Sequence, residues 1–244
     1  MDCVIILTHI FLKKRDKNMG IDYTEKVKFK NGFSLYELQR HMERAADVHS
    51  KLIKFSRDDL MASINAFWVL LRIKIYIDCD MSGISEMEIT TWHYKNAGVM
   101  WYRGFEFYAD GKKVGSAVTA WAILDADSHR ILRPNSIPDY KERENSDHGE
   151  PEILKKTKLS EDISPIPDYI VTTEDIDINE HMNNARYTRL AENVMNIPKE
   201  RYSFEIDYIN EAKQKETISL RADGAQLRGT LGEKECFNAK IILQ

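Results

Sequence analysis

The chain has 244 residues, long for one ordinary domain and short for two large ones, so one or two compact units are expected. Hydrophobic residues make up 43% of it, too many for a disordered chain, and the net charge of −4 implies no general attraction to nucleic acid. Three scattered cysteines, Cys3, Cys79 and Cys236, fit neither a disulfide framework nor a zinc site and point to a reducing cytoplasm.

Residues 1–18 read as an extension ahead of a truer start at Met19. Val4 to Leu12 is apolar but is followed by Lys13, Lys14 and Arg15, the reverse of a secretory signal. It also falls short of the roughly 20 apolar residues that cross a bilayer, so no stable membrane insertion is expected.

Residues 22–30 read as a strand. Ser34 and Glu37 have the spacing of a capping box, and Leu38, Met42, Ala45, His49 and Leu52 share one helical face, predicting a helix over about 34–55. Four segments rich in β-branched and aromatic residues follow as strands: Trp68 to Ile77, Glu86 to Tyr94, Trp101 to Tyr108 and Val114 to Leu124. Asp110-Gly111 is the signal of a hairpin turn between two of them. The polar stretch 135–165, marked by Pro138, Pro151 and Pro165, reads as a linker crossing the surface.

The second half repeats the order. A strand is predicted from Tyr169 to Thr173 and a helix from Asn183 to Met195. Strands follow at Ser203 to Ile209, Thr217 to Ala222, Leu227 to Thr230 and Cys236 to Leu243. "IYIDCDMSGISEMEITT" sits against "DYINEAKQKETISLR". The pattern by itself supports an α+β protein of two similar halves, 19–134 and 166–244.

The densest polar constellation is "EDIDINEHMNNARY", Glu174 to Tyr187. At strand spacing Asp177, Asn179 and His181 would share one face just before a helix, whose free N–H groups favour developing negative charge. A carboxylate, an amide and an imidazole there make a hydrolytic site. Two other readings compete. Asp and Asn are the preferred capping residues, and Asp175, Asp177 and Asn179 imitate the start of a calcium loop. That loop requires Gly where Glu180 stands and Glu where Arg186 stands, so no metal is expected. No GxSxG elbow, P-loop or dinucleotide fingerprint is present.

"DIDINEHMNNARY" followed by "DYINEAKQKETISL" resembles the active-site region of the acyl-acyl carrier protein (acyl-ACP) thioesterases of plants and bacteria. "NAFWVLLRIKIYID", "MEITTWHYKNAGVMWYRGFEFY" and "AVTAWAILDADSHRILRP" resemble their N-terminal half, so the likeness runs from about Phe33 to Leu243. It implies a double hotdog, each sheet wrapped around a central helix, and hydrolysis of fatty acyl-ACP in fatty acid biosynthesis without a cofactor. Within it Asp177, Asn179 and His181 match the family's Asp-x-Asn-x-His, and Glu211 its catalytic glutamate. Plant members usually have Cys after that glutamate. Here the residue is Ala212, so no cysteine nucleophile is available at that position.

In the mechanism implied, Glu211 is the general base, its pKa raised by apolar surroundings, or a direct nucleophile. Asn179 positions the carbonyl or the water, His181 donates to the oxyanion or the leaving thiolate, Asp177 orients His181, and N–H groups near Asn183 complete an oxyanion hole. In the repeat Cys79 takes the place of Glu211, so the first half is expected to hold the acyl chain, with Leu38, Met42, Phe67, Trp68 and Trp101 as candidate lining residues. The acidic carrier protein would dock on Arg186, Arg189, Lys213 and Lys215, with Lys155, Lys156 and Lys158 as further candidates. An acyl-coenzyme A thioesterase and a non-catalytic acyl-binding hotdog are the alternatives. Monomer and homodimer both remain open.

Overall fold

The computed structural model describes residues 21–145 and 147–244, apart from the side chain of Glu142. The extension read at 1–18 lies outside them. Strand β1 (Tyr23–Lys28) leads into helix α1 (Leu35–Leu52), where the expected helix stands with a shorter C-terminus. Ser34 Oγ accepts from Glu37 N–H, but the Glu37 carboxylate turns to Lys30 N–H instead of closing the capping box. Its place is taken from afar. Glu192, on the second half's helix, accepts from Ser34 Oγ and from the N–H groups of Leu35 and Tyr36. A carboxylate at that helix end also meets the positive pole of the helix dipole.

A short helix unforeseen in the sequence follows, α2 (Arg57–Ile64), opened by a capping box between Ser56 and Asp59. Then come β2 (Ala66–Ile77), β3 (Glu86–His93), β4 (Trp101–Ala109) and β5 (Lys112–Asp125). Asp110 and Gly111 both take positive φ, 48° and 73°, as a two-residue hairpin demands.

The segment 135–165 crosses the outer face of the sheet but is more than a polar tether. Ile137, Leu154 and Ile163 are buried, and Leu154 packs with Trp92, Tyr94 and Tyr102. Thr157 donates its N–H and hydroxyl to the buried Asp207 carboxylate, which pins the crossing to the sheet.

The second half forms β6 (Ser164–Ile170), α3 (Asn184–Val194), β7 (Tyr202–Tyr208), β8 (Thr217–Ala222), β9 (Gln226–Leu231) and β10 (Lys234–Leu243). β6 begins earlier than the expected strand at 169–173 and ends before Val171.

All ten strands form one sheet in the order β1-β3-β4-β5-β2-β7-β10-β9-β8-β6. The order reads the same from either edge once β1 is matched to β6, β2 to β7, β3 to β8, β4 to β9 and β5 to β10. The internal repeat is therefore a repeat of topology. The halves meet where β2 and β7 pair antiparallel, with Ile73 opposite Ile206. Helices α1 and α3 lie against one face of this sheet, and one core joins Leu38, Met42 and Ala45 of α1, Ile73 and Phe105 of the first half, and Tyr187, Leu190 and Phe204 of the second. Because β2 and β7 run in opposite directions, the segments that follow them lie at opposite ends of the pair. Cys79 and Glu211 match each other in the repeat but stand far apart in space.

Candidate active site

The residues from Asp177 to His181 do not form the expected strand face. They form a closed turn. Ile176 bridges to Met182, Asp177 N–H donates to His181 O at 2.9 Å, and Glu180 closes the turn with φ of 65°. The alternation of Ile176, Ile178 and Met182 suggests a strand, but Ile178 stands at the turn tip, 91% exposed. Asp and Asn explain the difference, because their short side chains bond backbone groups two residues on and favour turns. Asn179 N–H donates to Asp177 Oδ1 at 2.7 Å, and Asn179 Nδ2 reaches Asp177 Oδ2 at 3.4 Å. Asp177 therefore orients Asn179, not His181 as expected.

The partner of His181 is Glu211. His181 Nδ1 lies 3.2 Å from Glu211 Oε2. The two are brought together by backbone pairing: His181 bridges to Lys213, and Met182 N–H donates to Ala212 O at 2.8 Å. A residue that sequence reasoning placed only on a helix face holds this loop. Tyr187 of α3 accepts the N–H of the fully buried Ala212 at 3.0 Å, fixing the backbone next to Glu211.

The apolar enclosure expected around Glu211 is absent. Its side chain is 64% exposed, against 28% for His181. A carboxylate so open keeps much of its hydration, with the His181 imidazole beside it.

At the start of α3, Asn183 caps the helix by accepting from Ala185 N–H. The N–H groups of Asn183 and Arg186 are also taken, by Asp175 O and Asn183 O. The N–H of Asn184 has no partner among the described residues, and Asn184 lines the cavity. Near Asn183, where an oxyanion donor is expected, the N–H of Asn184 is the one left open.

Asp177, Asn179, His181, Asn184 and Glu211 line one wall of a cavity of about 640 Å³, and Phe67, Trp68, Leu70 and Trp121 of the first half line the other. Of the candidate lining residues, Phe67 and Trp68 face this cavity. Trp101, with Trp68 again, lines a smaller chamber of about 220 Å³. Leu38 and Met42 line neither and belong to the core, because the α1 face that carries them packs directly on the sheet.

The docking candidates separate. Lys213 is exposed beside His181, and Lys215 is exposed in the same loop. Arg186 and Arg189 instead hold their guanidinium groups over the Tyr36 ring at 5.5 and 5.4 Å, and Lys156 pairs with Glu235. Among the described residues no cysteine lines the larger cavity. Cys236 is buried against Tyr187 and Asn210 O, and burial pushes its thiol up to about 11. Burial and the neighbouring carboxylates Asp78 and Asp80 also raise Cys79.

Residues 13–139 match the acyl-ACP thioesterase N-terminal domain, and residues 159–238 match the acyl-ACP thioesterase C-terminal domain. The chain belongs to the acyl-ACP thioesterase family. Its double hotdog is shared with an acyl-ACP thioesterase from Bacteroides thetaiotaomicron, at 23% identity and a TM-score of 0.71 over 91% of this chain and 98% of that one. A 12:0-ACP thioesterase from Umbellularia californica superposes with a TM-score of 0.69 at 17% identity, over 91% of this chain and 98% of that one. A search of curated proteins returns no match. Membership makes this acyl-ACP thioesterase a thioester hydrolase acting on fatty acyl-ACP. No helix among the described residues is long and apolar enough to cross a membrane.

Proposed function

We propose that the His181–Glu211 pair activates the water that cleaves the thioester. The observation that carries this reading is the 3.2 Å approach of His181 Nδ1 to Glu211 Oε2 at the wall of the larger cavity. In the reacting complex this approach closes to a hydrogen bond from Nδ1–H to the carboxylate; the imidazole then keeps its lone pair on Nε2 and becomes the base, while Glu211 stabilises the imidazolium that forms. Water adds to the thioester carbonyl and gives its proton to Nε2. The N–H of Asn184 and the amide of Asn179 receive the oxyanion, a preorganised donor of this kind being worth about 3 kcal/mol. The tetrahedral intermediate collapses, the C–S bond breaks, and the imidazolium returns its proton to the carrier's thiolate. Asp177 serves by holding Asn179.

The division of labour follows the cavity walls: residues 166–244 carry the chemistry, and residues 19–134 supply the aromatic wall that receives the acyl chain. Lys213 and Lys215, exposed beside the catalytic pair, are the surface offered to the carrier protein. Unpaired Cys79 and Cys236 support a cytoplasmic setting.

A double-mutant cycle on purified protein with an acyl-ACP substrate tests the pair. His181→Asn and Glu211→Gln should each lower kcat by roughly 10²- to 10⁴-fold, and the double variant should lose little more than the worse single. Losses that multiply would mean that the two groups act independently and would contradict the reading.

A further inference from the structure

We propose that the chamber of about 220 Å³ receives the far end of a hydroxylated acyl chain, with Arg103 donating to the hydroxyl oxygen and His93 accepting the hydroxyl proton. The proposal rests on the thioesterase reading for its substrate class and on the chamber for its specificity.

Trp68, Trp121 and Arg57 line both cavities, so the chamber adjoins the space that begins at the catalytic pair. It lies over β4, three strands from β7 in the sheet order, so its inner wall stands about 14 Å across the sheet from the strand that leads to Glu211. A chain that reaches it has its thioester at one end of this path and its terminus at the other.

Trp68, Trp101 and Trp121 give the chamber apolar walls, but an apolar terminus leaves its two polar groups, Arg103 and His93, unmatched. Arg103 is a buried guanidinium. It donates to His49 Nδ1, Thr91 Oγ1 and Ser50 Oγ, and no carboxylate pairs with it among the described residues. Its five N–H donors are more than these acceptors use. The two acidic groups at the chamber are committed elsewhere: Asp47 to Lys51, and Glu43 to Arg40 and Gln39.

His93 stands directly opposite Arg103 in the β3–β4 register. Its Nδ1 bonds Tyr94 O at 2.7 Å, which makes Nδ1 the protonated nitrogen and leaves Nε2 a lone pair with no partner among the described residues. Burial and the Arg103 charge hold this ring neutral, its pKa at about 3. A cation with spare donors and an imidazole acceptor, side by side on one sheet face, complement a hydroxyl, which accepts from one and donates to the other. A methyl terminus satisfies neither group. A carboxylate or ketone satisfies only the donor.

The test compares matched acyl-ACP substrates bearing a hydroxyl, an oxo group or only hydrogen near the chain end. Alongside, calorimetry follows binding of the methyl esters of the same acids. The hydroxylated chain should exceed the plain one by at least ~10-fold in kcat/KM, chiefly through KM, and should also exceed the oxo chain. The same order should hold for ester binding, and the hydroxyl preference should collapse toward one in His93→Phe. Hydrolysis without a hydroxyl preference, or with the oxo chain equal to the hydroxylated one, overturns the chamber assignment and leaves the thioesterase standing. Tighter binding of the hydroxy ester with no hydrolysis of any chain supports the chamber and overturns the catalytic reading.

Discussion

His181 Nδ1 stands 3.2 Å from Glu211 Oε2, and the contact is made by backbone pairing between the turn before α3 and the segment after β7. The proposed division of work at the site rests on this relationship. In the proposed mechanism the glutamate orients the imidazole, and the imidazole takes the proton from water. The same geometry reassigns Asp177, whose carboxylate is spent on Asn179.

Tyr187 should act through position. Tyr187→Phe removes the acceptor of the buried Ala212 N–H, which costs about 1–3 kcal/mol of stability. Because Ala212 adjoins Glu211, kcat should also fall by about 10-fold with little change in KM. Denaturant unfolding and steady-state kinetics on the same sample check both. A stability loss with unchanged kcat would reduce Tyr187 to a packing residue.

The helix α1 is legible in the sequence because Leu38, Met42, Ala45 and His49 repeat at helical spacing along a buried face. The strands are legible through their β-branched and aromatic residues, and the hairpin through Asp110-Gly111. The eight residues of α2 bury only Leu60, so little periodicity marks them, although Ser56 and Asp59 carry the capping signal. At Asp177 to His181, alternation suggests a strand, and the turn chemistry of Asp and Asn prevails over it. Glu211 is reached through the internal repeat and the family resemblance, since its contact with His181 depends on backbone pairing. The phenol of Tyr187 on Ala212, and Arg103 beside His93, likewise depend on helix placement and strand register that one-dimensional spacing does not carry.

Acid should destabilise the protein through its buried imidazoles. His49 donates from Nε2 to Ile21 O and accepts from Arg103 at Nδ1, so it must be neutral. Burial, then Arg103, hold its pKa at about 2, and the same causes hold His93 at about 3. Both values lie below the ordinary 6.5, so the unfolded chain binds more protons than the folded one between those limits. The stability these rings contribute is present above pH 6.5 and is lost as pH falls. Each should contribute about 2 kcal/mol of loss between pH 6.5 and pH 5. Denaturant midpoints across that window should fall more steeply for the wild type than for His49→Gln.

Core and cavity residues should separate in their effects. Met42→Ala opens a void in the core and should cost about 2–5 kcal/mol of stability with the acyl-chain preference retained. Phe67→Ala, on the cavity wall, should shift the preferred acyl chain with a smaller stability loss. Thermal unfolding paired with a chain-length series distinguishes them.

Docking charges should divide in the same manner. Lys213→Ala, exposed beside His181, should raise KM for carrier-protein substrates and flatten its dependence on salt. Arg186→Ala, whose charge rests over Tyr36 and faces Asp175, should affect stability more than KM. KM measured at low and high salt for both variants checks the assignment.

The most direct measurement is a single turnover of fatty acyl-ACP in water enriched with oxygen-18, followed by mass analysis of the released acid and of the peptide containing Glu211. Water attack assisted by the His181–Glu211 pair predicts one labelled oxygen in the fatty acid and none in Glu211. Label in the Glu211 carboxylate would show that this residue attacks the thioester itself and would contradict the account.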